Sequence, residues 1–246
     1  MEAAAYSSLR NLQDRHWWFV GRRTIIASLI RRLVSLPQRA RILEAGCGYG
    51  GNLPMLERFG DLDAFEFAEE ARTYASARMA RPVAHGELPH AVGFDGERFD
   101  LIAMLDVLEH IDDDLGSLVA LRNRLDQGGS IVLTVPALPC LWSDHDTAHH
   151  HKRRYTRRTL DALLRRAGFE PVRVGYFNTF LFPLALVQRL VSRIAGGRFR
   201  GDAMPSRSVN AALGGIFALE ARLVGRVALP IGLSLFAVAR PVEARR

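Results

Sequence analysis

Short apolar runs alternate with amphipathic stretches along the first two thirds of the chain. ARILEA, DLDAFEF, RFDLIAML and SIVLTVP are each bounded by Gly, Pro or charged residues, the length and setting of buried strands. Between them, LPMLERFG, AEEARTYASARMA and DDDLGSLVALRNRLDQGG read as helices, the last with acids in its first turn and glycines after its end. Strands alternating with helices at this spacing predict parallel pairing through βαβ units, hence an α/β fold with a doubly wound, mostly parallel sheet. Residues 1–36 read as helices that stop at Pro37. After Pro136 come an amphipathic helix, RRTLDALLRRAGF, and a strand, EPVRVGYF. Residues 178–230 are apolar helices interrupted by GGRFRGDAMPSRS, and LSLFAVAR is the last strand. The division expected is a helical lid at 1–36 and a ligand-binding domain at 37–246, with a helical insertion at 178–230.

At 246 residues, 48% apolar and 24% charged, the chain can bury a full core, and disorder is excluded. The net charge of +7 leaves nucleic acid, anionic lipid or a phosphorylated substrate open. Its arginines fall in scattered pairs, Arg22–Arg23 among them, which reads as a solvated surface. Cys47 and Cys140 make neither a disulfide framework nor a metal cluster, which favours a reducing compartment. The N-terminus lacks a secretory apolar core, and no charge-free apolar window is long enough to span a bilayer. A cytoplasmic location follows. The apolar helices of 178–230, with arginines interspersed, read as core, as a dimer contact, as a cap over a lipid, or as peripheral contact with the inner face of a membrane.

The stretch EAGCGYGGN places glycines where a strand turns into a helix, which lets backbone N–H groups approach a ligand. A P-loop would need Lys and Ser or Thr after the last glycine, and neither is present. A dinucleotide fingerprint is spaced G-x-G-x-x-G, whereas the spacing here is Gly46-x-Gly48-x-Gly50-Gly51. Glu44 at the strand end would repel a pyrophosphate and suit a ligand with an ammonium or sulfonium. Glu66, ending the second strand, can accept both hydroxyls of a ribose, or can simply cap the next helix. A nucleoside with a cationic tail fits both acids.

With EAGCGYGGN, FEF, FDLIAMLDVLEHIDD and LDQGGSIVLTVP in that order, the chain resembles class I S-adenosylmethionine (SAM)-dependent methyltransferases of the small bacterial "methyltransferase domain 11/12" type, over about residues 38–175. The resemblance implies a seven-stranded Rossmann-like sheet and SAM held by Glu44, Gly46, Cys47, Gly48, Gly50, Glu66 and Phe67. Leu105 and Asp106 would then lie beside the methionine portion, with Asp106 receiving the ammonium. Many relatives place an Asp after the third strand to accept from the adenine amino group. Here PVAHGELPHAV offers Glu87 or His85 instead. The flanks HWWFVGRR and LWSDHDTAHHHKRRYT resemble bacterial methyltransferases of surface polysaccharide or lipid pathways.

Methyl transfer is an in-line displacement, so the residues that matter align the acceptor and remove its proton. His110, His145 and His151 are candidate bases. Arg153 and Arg154 can bind an anionic group of the acceptor. Asp146 and Tyr155 complete the family-like loop, and Trp17 and Trp18 can close over the site. Structural roles compete throughout, among them an Asp–Arg pair that merely holds the loop. Some quinone O-methyltransferases bind Mg2+ through an acid–x–x–acid–His run like Asp106–Glu109–His110. Too few oxygen ligands are visible here, and no metal is expected. The expected activity is methylation of a hydroxyl or amine on a small-molecule, sugar or lipid-linked acceptor. A non-catalytic SAM-binding subunit and an RNA methyltransferase are the alternatives. Against the last, no RNA-binding module and no amine-methylating N/D-P-P-Y/F signature is present, so no nucleic-acid partner is expected.

Overall fold

The computed structural model describes residues 10, 12–187 and 204–242. Its seven strands are β1 (Arg41–Ala45), β2 (Asp61–Glu66), β3 (Ala84–His85), β4 (Phe99–Leu105), β5 (Leu125–Pro136), β6 (Phe169–Phe177) and β7 (Ser234–Pro241). They form one sheet in the order β3-β2-β1-β4-β5-β7-β6. β1 to β5 pair in parallel, and β7 runs antiparallel between β5 and β6. The α/β doubly wound, mostly parallel sheet is the one expected. Strand order reverses between β1 and β4, which opens a crevice beyond the carboxyl ends of these two strands.

The sheet's faces are dry because its strands are apolar on both sides. Leu43, Ile102, Leu133 and Phe169 join Leu118, Leu121, Leu160 and Leu164 in one cluster, the last four residues carried by α4 (Asp114–Arg122) and α6 (Arg157–Arg166) or their flanks. Ile42, Ala103, Val132 and Val238 pack with Ile26 and Ile30 of α1 (Trp17–Leu33) and with Leu53 and Leu56 of α2 (Leu53–Leu56) in another. α3 (Glu69–Ser76) lies between β2 and β3, and α5 (Asp144–Ala148) sits in the loop after β5.

A third cluster attaches the β6–β7 connection to the body of the protein. Phe217 of α7 (Arg207–Glu220) is buried among Ile25, Leu29, Phe177 and Phe236. α7 and α1 cross closely: a Cβ on Gly21 would lie within 3.1 Å of three Phe217 side-chain atoms, so only glycine fits there. Glu220 is also buried and accepts hydrogen bonds from Thr179 N (3.0 Å) and Phe180 N (3.4 Å). Expected helical residues at 1–9, 11 and 188–203 lie outside those described. Among the described residues, no helix is long and apolar enough to cross a membrane.

Two expected boundaries differ. The helix read as running up to the glycines at 128 and 129 ends at Arg122, and LDQGG opens β5. Leu125 pairs with Phe99, and a register shift between Phe99 and Leu101 accommodates the left-handed Gly128, so sheet pairing overrides helical patterning. β3 is two residues long, too short for a periodicity to announce it.

Because Phe217 fills the junction of α1, α7 and the sheet, Phe217→Ala should cost about 3–5 kcal/mol in urea unfolding. A loss near zero would mean that α7 does not share a cooperative core with α1.

Candidate active site

The glycine loop leaves β1 and turns sharply. Gly46, Gly48 and Gly50 all have positive φ (74°, 54° and 77°). A Cβ on Gly46 would press on Val107 at 3.0 Å, and one on Gly50 would meet Leu53 at 2.5 Å. Nothing lies within 4 Å of the Cβ direction of Gly48, whose N–H donates to Glu66 Oε2 at 2.8 Å. Glu66 Oε1 accepts from Ala68 N at 2.9 Å. One carboxylate at the end of β2 thus fastens the loop and starts α3, and each of its oxygens keeps a lone pair for a ligand hydroxyl.

This loop forms one side of a cleft of about 1630 Å³. Of the expected cofactor residues, Gly46, Cys47, Gly48, Glu66, Phe67, Glu87, Leu105 and Asp106 line it. Phe67 is exposed, its ring 6.0 Å from that of His85, and it lines the cleft along with Gly86 and Leu88. Glu44 and Gly50 do not line the cleft. Glu44 lies beneath the loop, 1% exposed, with Oε1 accepting from Asn52 Nδ2 at 2.8 Å. Burial pushes its carboxyl up to about 8, against the pull of Asn52 and Arg22, so near neutrality it carries a proton. Its carboxyl does not face the cleft.

Arg22 was read as solvated surface, and that reading is overturned. It is 5% exposed, on the inward face of α1. Its Nη1 forms an ion pair with Asp106 Oδ2 and reaches Thr134 Oγ1 at 3.5 Å, while Nη2 donates to Asn52 Oδ1 at 3.3 Å. The guanidinium also stacks over Trp18, 5.0 Å from the ring centroid. Burial draws its pKa down to about 10, with Glu44 and Glu109 opposing the fall. Asp106, at φ 56°, turns the chain beyond β4 and offers its carboxylate to Arg22, so the anion expected to meet the ligand's ammonium is already balanced by a cation. The HWW spacing held the signal: Trp18 and Arg22 are four apart and share one helical face.

The loop after β5 supplies the opposite wall. Asp146, fully buried, accepts from His151 Nδ1 (2.9 Å), from Arg154 Nε (2.7 Å) and Nη2 (2.9 Å), and from Ser143 N (2.9 Å). Burial works against the charge, but His151 and Arg154 outweigh it and hold this carboxyl well below the usual range. Arg154 Nη1 continues to Ala137 O at 3.0 Å, tying the loop to the end of β5. With Nδ1 on Asp146, Nε2 of His151 is the nitrogen that can take a proton.

His110, His145 and His151 all line the cleft, and so does His149. The rings of His110 and His151 are 4.7 Å apart, and those of His145 and His149 are 4.2 Å apart. Burial, with His151 and His149 close by, pushes His110 down to about 3. Buried Glu109 beside it is pushed up to about 8 by desolvation, and its Oε2 has no hydrogen-bond partner. Glu109, His110 and His151 bring one donor atom each within 4.8 Å of one another, the grouping among the described residues able to hold a metal ion.

Three expected acceptor contacts point elsewhere. Arg153 is not among the residues that line the cleft: it pairs with Asp114 (2.9 Å) and donates to Asp112 O (2.8 Å). The Tyr155 hydroxyl donates to Asp114 Oδ2 at 3.0 Å, its ring is in the core, and burial raises its pKa. Asp146 works through His151 and Arg154 rather than facing the cavity. Arg154, Trp17 and Trp18 do line it, and Trp17 packs edge-on against Phe217 at 5.6 Å.

Glu44 and Glu109 keep protons in the folded chain up to about pH 8, whereas the ordinary carboxyl loses its proton near 4.5. Between these values the unfolded chain binds fewer protons. Stability is therefore fullest below about pH 4.5 as far as these two groups are concerned, and falls as pH rises toward 8, by up to about 1.4 kcal/mol per pH unit for each group. Urea unfolding across pH 5–8 should show this slope, and Glu44→Gln should flatten it. A stability that climbs over this range would contradict the assignment.

Comparisons with known proteins agree with this geometry. A family model described as a methyltransferase domain matches residues 19–174. A ubiquinone biosynthesis O-methyltransferase of Ruegeria sp. (strain TM1040) is 30% identical over 174 residues, 62% of this chain and 70% of that protein. A protein of the same name from Cereibacter sphaeroides (strain ATCC 17025 / ATH 2.4.3) is 33% identical over 116 residues, 44% of this chain and 47% of that one. Among solved structures, an S-adenosylmethionine-dependent methyltransferase from Clostridium acetobutylicum ATCC 824 superposes with a TM-score of 0.56 at 10% identity, covering 97% of this chain and 92% of that one. Geranyl diphosphate C-methyltransferase from Streptomyces coelicolor A3(2) gives 0.58 at 14% identity, covering 88% of this chain and 79% of that one. These two share the fold. The chain belongs to the methyltransferase-domain family, and so to the class I SAM-dependent methyltransferases.

Proposed function

We propose that the protein methylates a hydroxyl group of a small-molecule acceptor, with His151 as general base. The observation that carries this reading is the Asp146–His151 pair, whose imidazole lines the same cleft as the glycine loop. The cleft suits SAM: Gly48 leaves an open cradle and Glu66 keeps acceptor lone pairs, while Phe67, Gly86, Glu87, Leu88 and Asp106 line the same cavity. Bound there, the cofactor supplies an electrophilic methyl group on a sulfonium.

The chain's own residues do the rest. Glu66 accepts from ribose hydroxyls, and Glu87 receives the adenine amino group. Leu105 and Asp106 flank the methionine end, and Arg22 gives its carboxylate a cation. Trp17 and Trp18 exclude water from one side. Asp146, kept ionised by Arg154, fixes the His151 tautomer and stabilises the imidazolium formed when the ring takes the acceptor's proton. His145 lies farther from this pair, its ring 6.2 Å from that of His151, and lines the acceptor side. The name of the Ruegeria relative supports oxygen as the methylated atom.

In labelling of cell extracts with methyl-tritiated SAM, His151→Ala should lower the transfer rate by about 10²–10⁴-fold while SAM affinity holds. An equal loss of affinity would make His151 structural. Glu66→Ala should weaken SAM binding by about 1–3 kcal/mol in calorimetry, and unchanged affinity would remove the ribose from β2.

A further inference from the structure

α7 presents an unusual outer surface. Its inward side carries Phe217 and Glu220, both fully buried. Its outward side carries Val209, Ala211, Ala212, Gly215, Ile216, Ala218 and Leu219, all exposed. Between Arg207 and Arg222 the sequence holds one ionisable residue, Glu220, and that side chain is turned inward onto Thr179 N. The exposed apolar surface continues past the helix through Leu223 and Val227. Soluble surfaces seldom leave an apolar strip of this length uncovered.

Cations frame the strip. Arg207 is exposed at its start, and Arg222 and Arg226 at its end. Arg32 reaches the same turn from α1, donating to Ala221 O and Val224 O at 2.7 Å each. Arg173 donates to Gly225 O at 3.2 Å. The strip also runs into the cleft: Leu184, Val187, Met204 and Val209 are exposed large apolar residues and line the cavity as well.

We propose that the outward face of α7 and the arginine-rich turn after it dock on a bilayer surface bearing anionic headgroups. An apolar helical face a few ångströms deep, ending in arginines at headgroup level, matches that boundary in both polarity and charge. A neutral protein surface would leave the arginines uncompensated, and an acidic one would set carboxylates against the apolar strip. Docked in this way, the protein holds the apolar mouth of its cleft against the membrane, so an acceptor carrying a hydrocarbon chain enters without crossing water. That last consequence rests on the methyl-transfer reading, whereas the docking does not.

The test is flotation of the full chain with vesicles of phosphatidylglycerol and phosphatidylcholine, against vesicles of phosphatidylcholine alone. Wild type should float with the mixed vesicles and far less with the neutral ones. Ile216→Glu/Leu219→Glu should abolish flotation, and Arg222→Glu/Arg226→Glu should weaken it about tenfold or more on the anionic vesicles. All four side chains are exposed, so circular dichroism and S-adenosylhomocysteine affinity of the variants should match wild type. Absence of wild-type flotation would overturn the proposal. So would undiminished flotation of Ile216→Glu/Leu219→Glu, or a wild-type dimer in ultracentrifugation that this variant dissociates. A wild-type protein that floats but binds no S-adenosylhomocysteine would instead bring down the methyl-transfer reading.

Discussion

A buried guanidinium holds the two halves of this cleft together. Arg22 comes from α1, outside the βαβ repeat, and meets Asp106 from the end of β4 and Asn52 from the glycine loop. An unpaired cation in that position would be prohibitively costly, and so would three ionised acids around it. The arrangement settles at one cation and one anion, Arg22 and Asp106, with Glu44 and Glu109 held as neutral acids by burial.

Two other acids show the opposite solution. Donors surround both Glu66 and Asp146: backbone N–H groups for Glu66, and Arg154, His151 and Ser143 for Asp146, whose charge His151 and Arg154 hold. Glu66 lines the cleft with a carboxylate suited to ribose hydroxyls, while Asp146 steadies an imidazole. The division of labour among acids therefore follows the number of donors each meets and not its place in a motif.

The sheet was legible because its strands are dry on both faces and read as apolar runs, and because glycines at 46, 48 and 50 are required by positive φ. Glu66 was legible from its position after the second strand. Glu44 was misread: the sequence places it at a strand end, but only the packing of Asn52 and α1 over it decides that it faces inward. Arg22 looked like one of many paired arginines, since burial of a charge depends on partners more than a dozen residues distant. In the late loop the same limit applied. Asp146, His151, Arg153, Arg154 and Tyr155 are close in sequence, yet hydrogen bonds to Asp114 take Tyr155 and Arg153 away while Asp146 gathers His151 and Arg154. The start of β5 at LDQGG followed from pairing with β4, which no local propensity records.

The central claim is that this cleft, closed on one side by Arg22 and on the other by His151, is where cofactor and acceptor meet. A crystal structure of the full chain with S-adenosylhomocysteine tests it most directly. The account predicts ribose hydroxyls on the Glu66 carboxylate, the amino-acid end beside Gly46 and Asp106, and the sulfur turned toward the wall that carries His151. A ligand seated elsewhere on the molecule, or one whose sulfur faces away from His151, would contradict it.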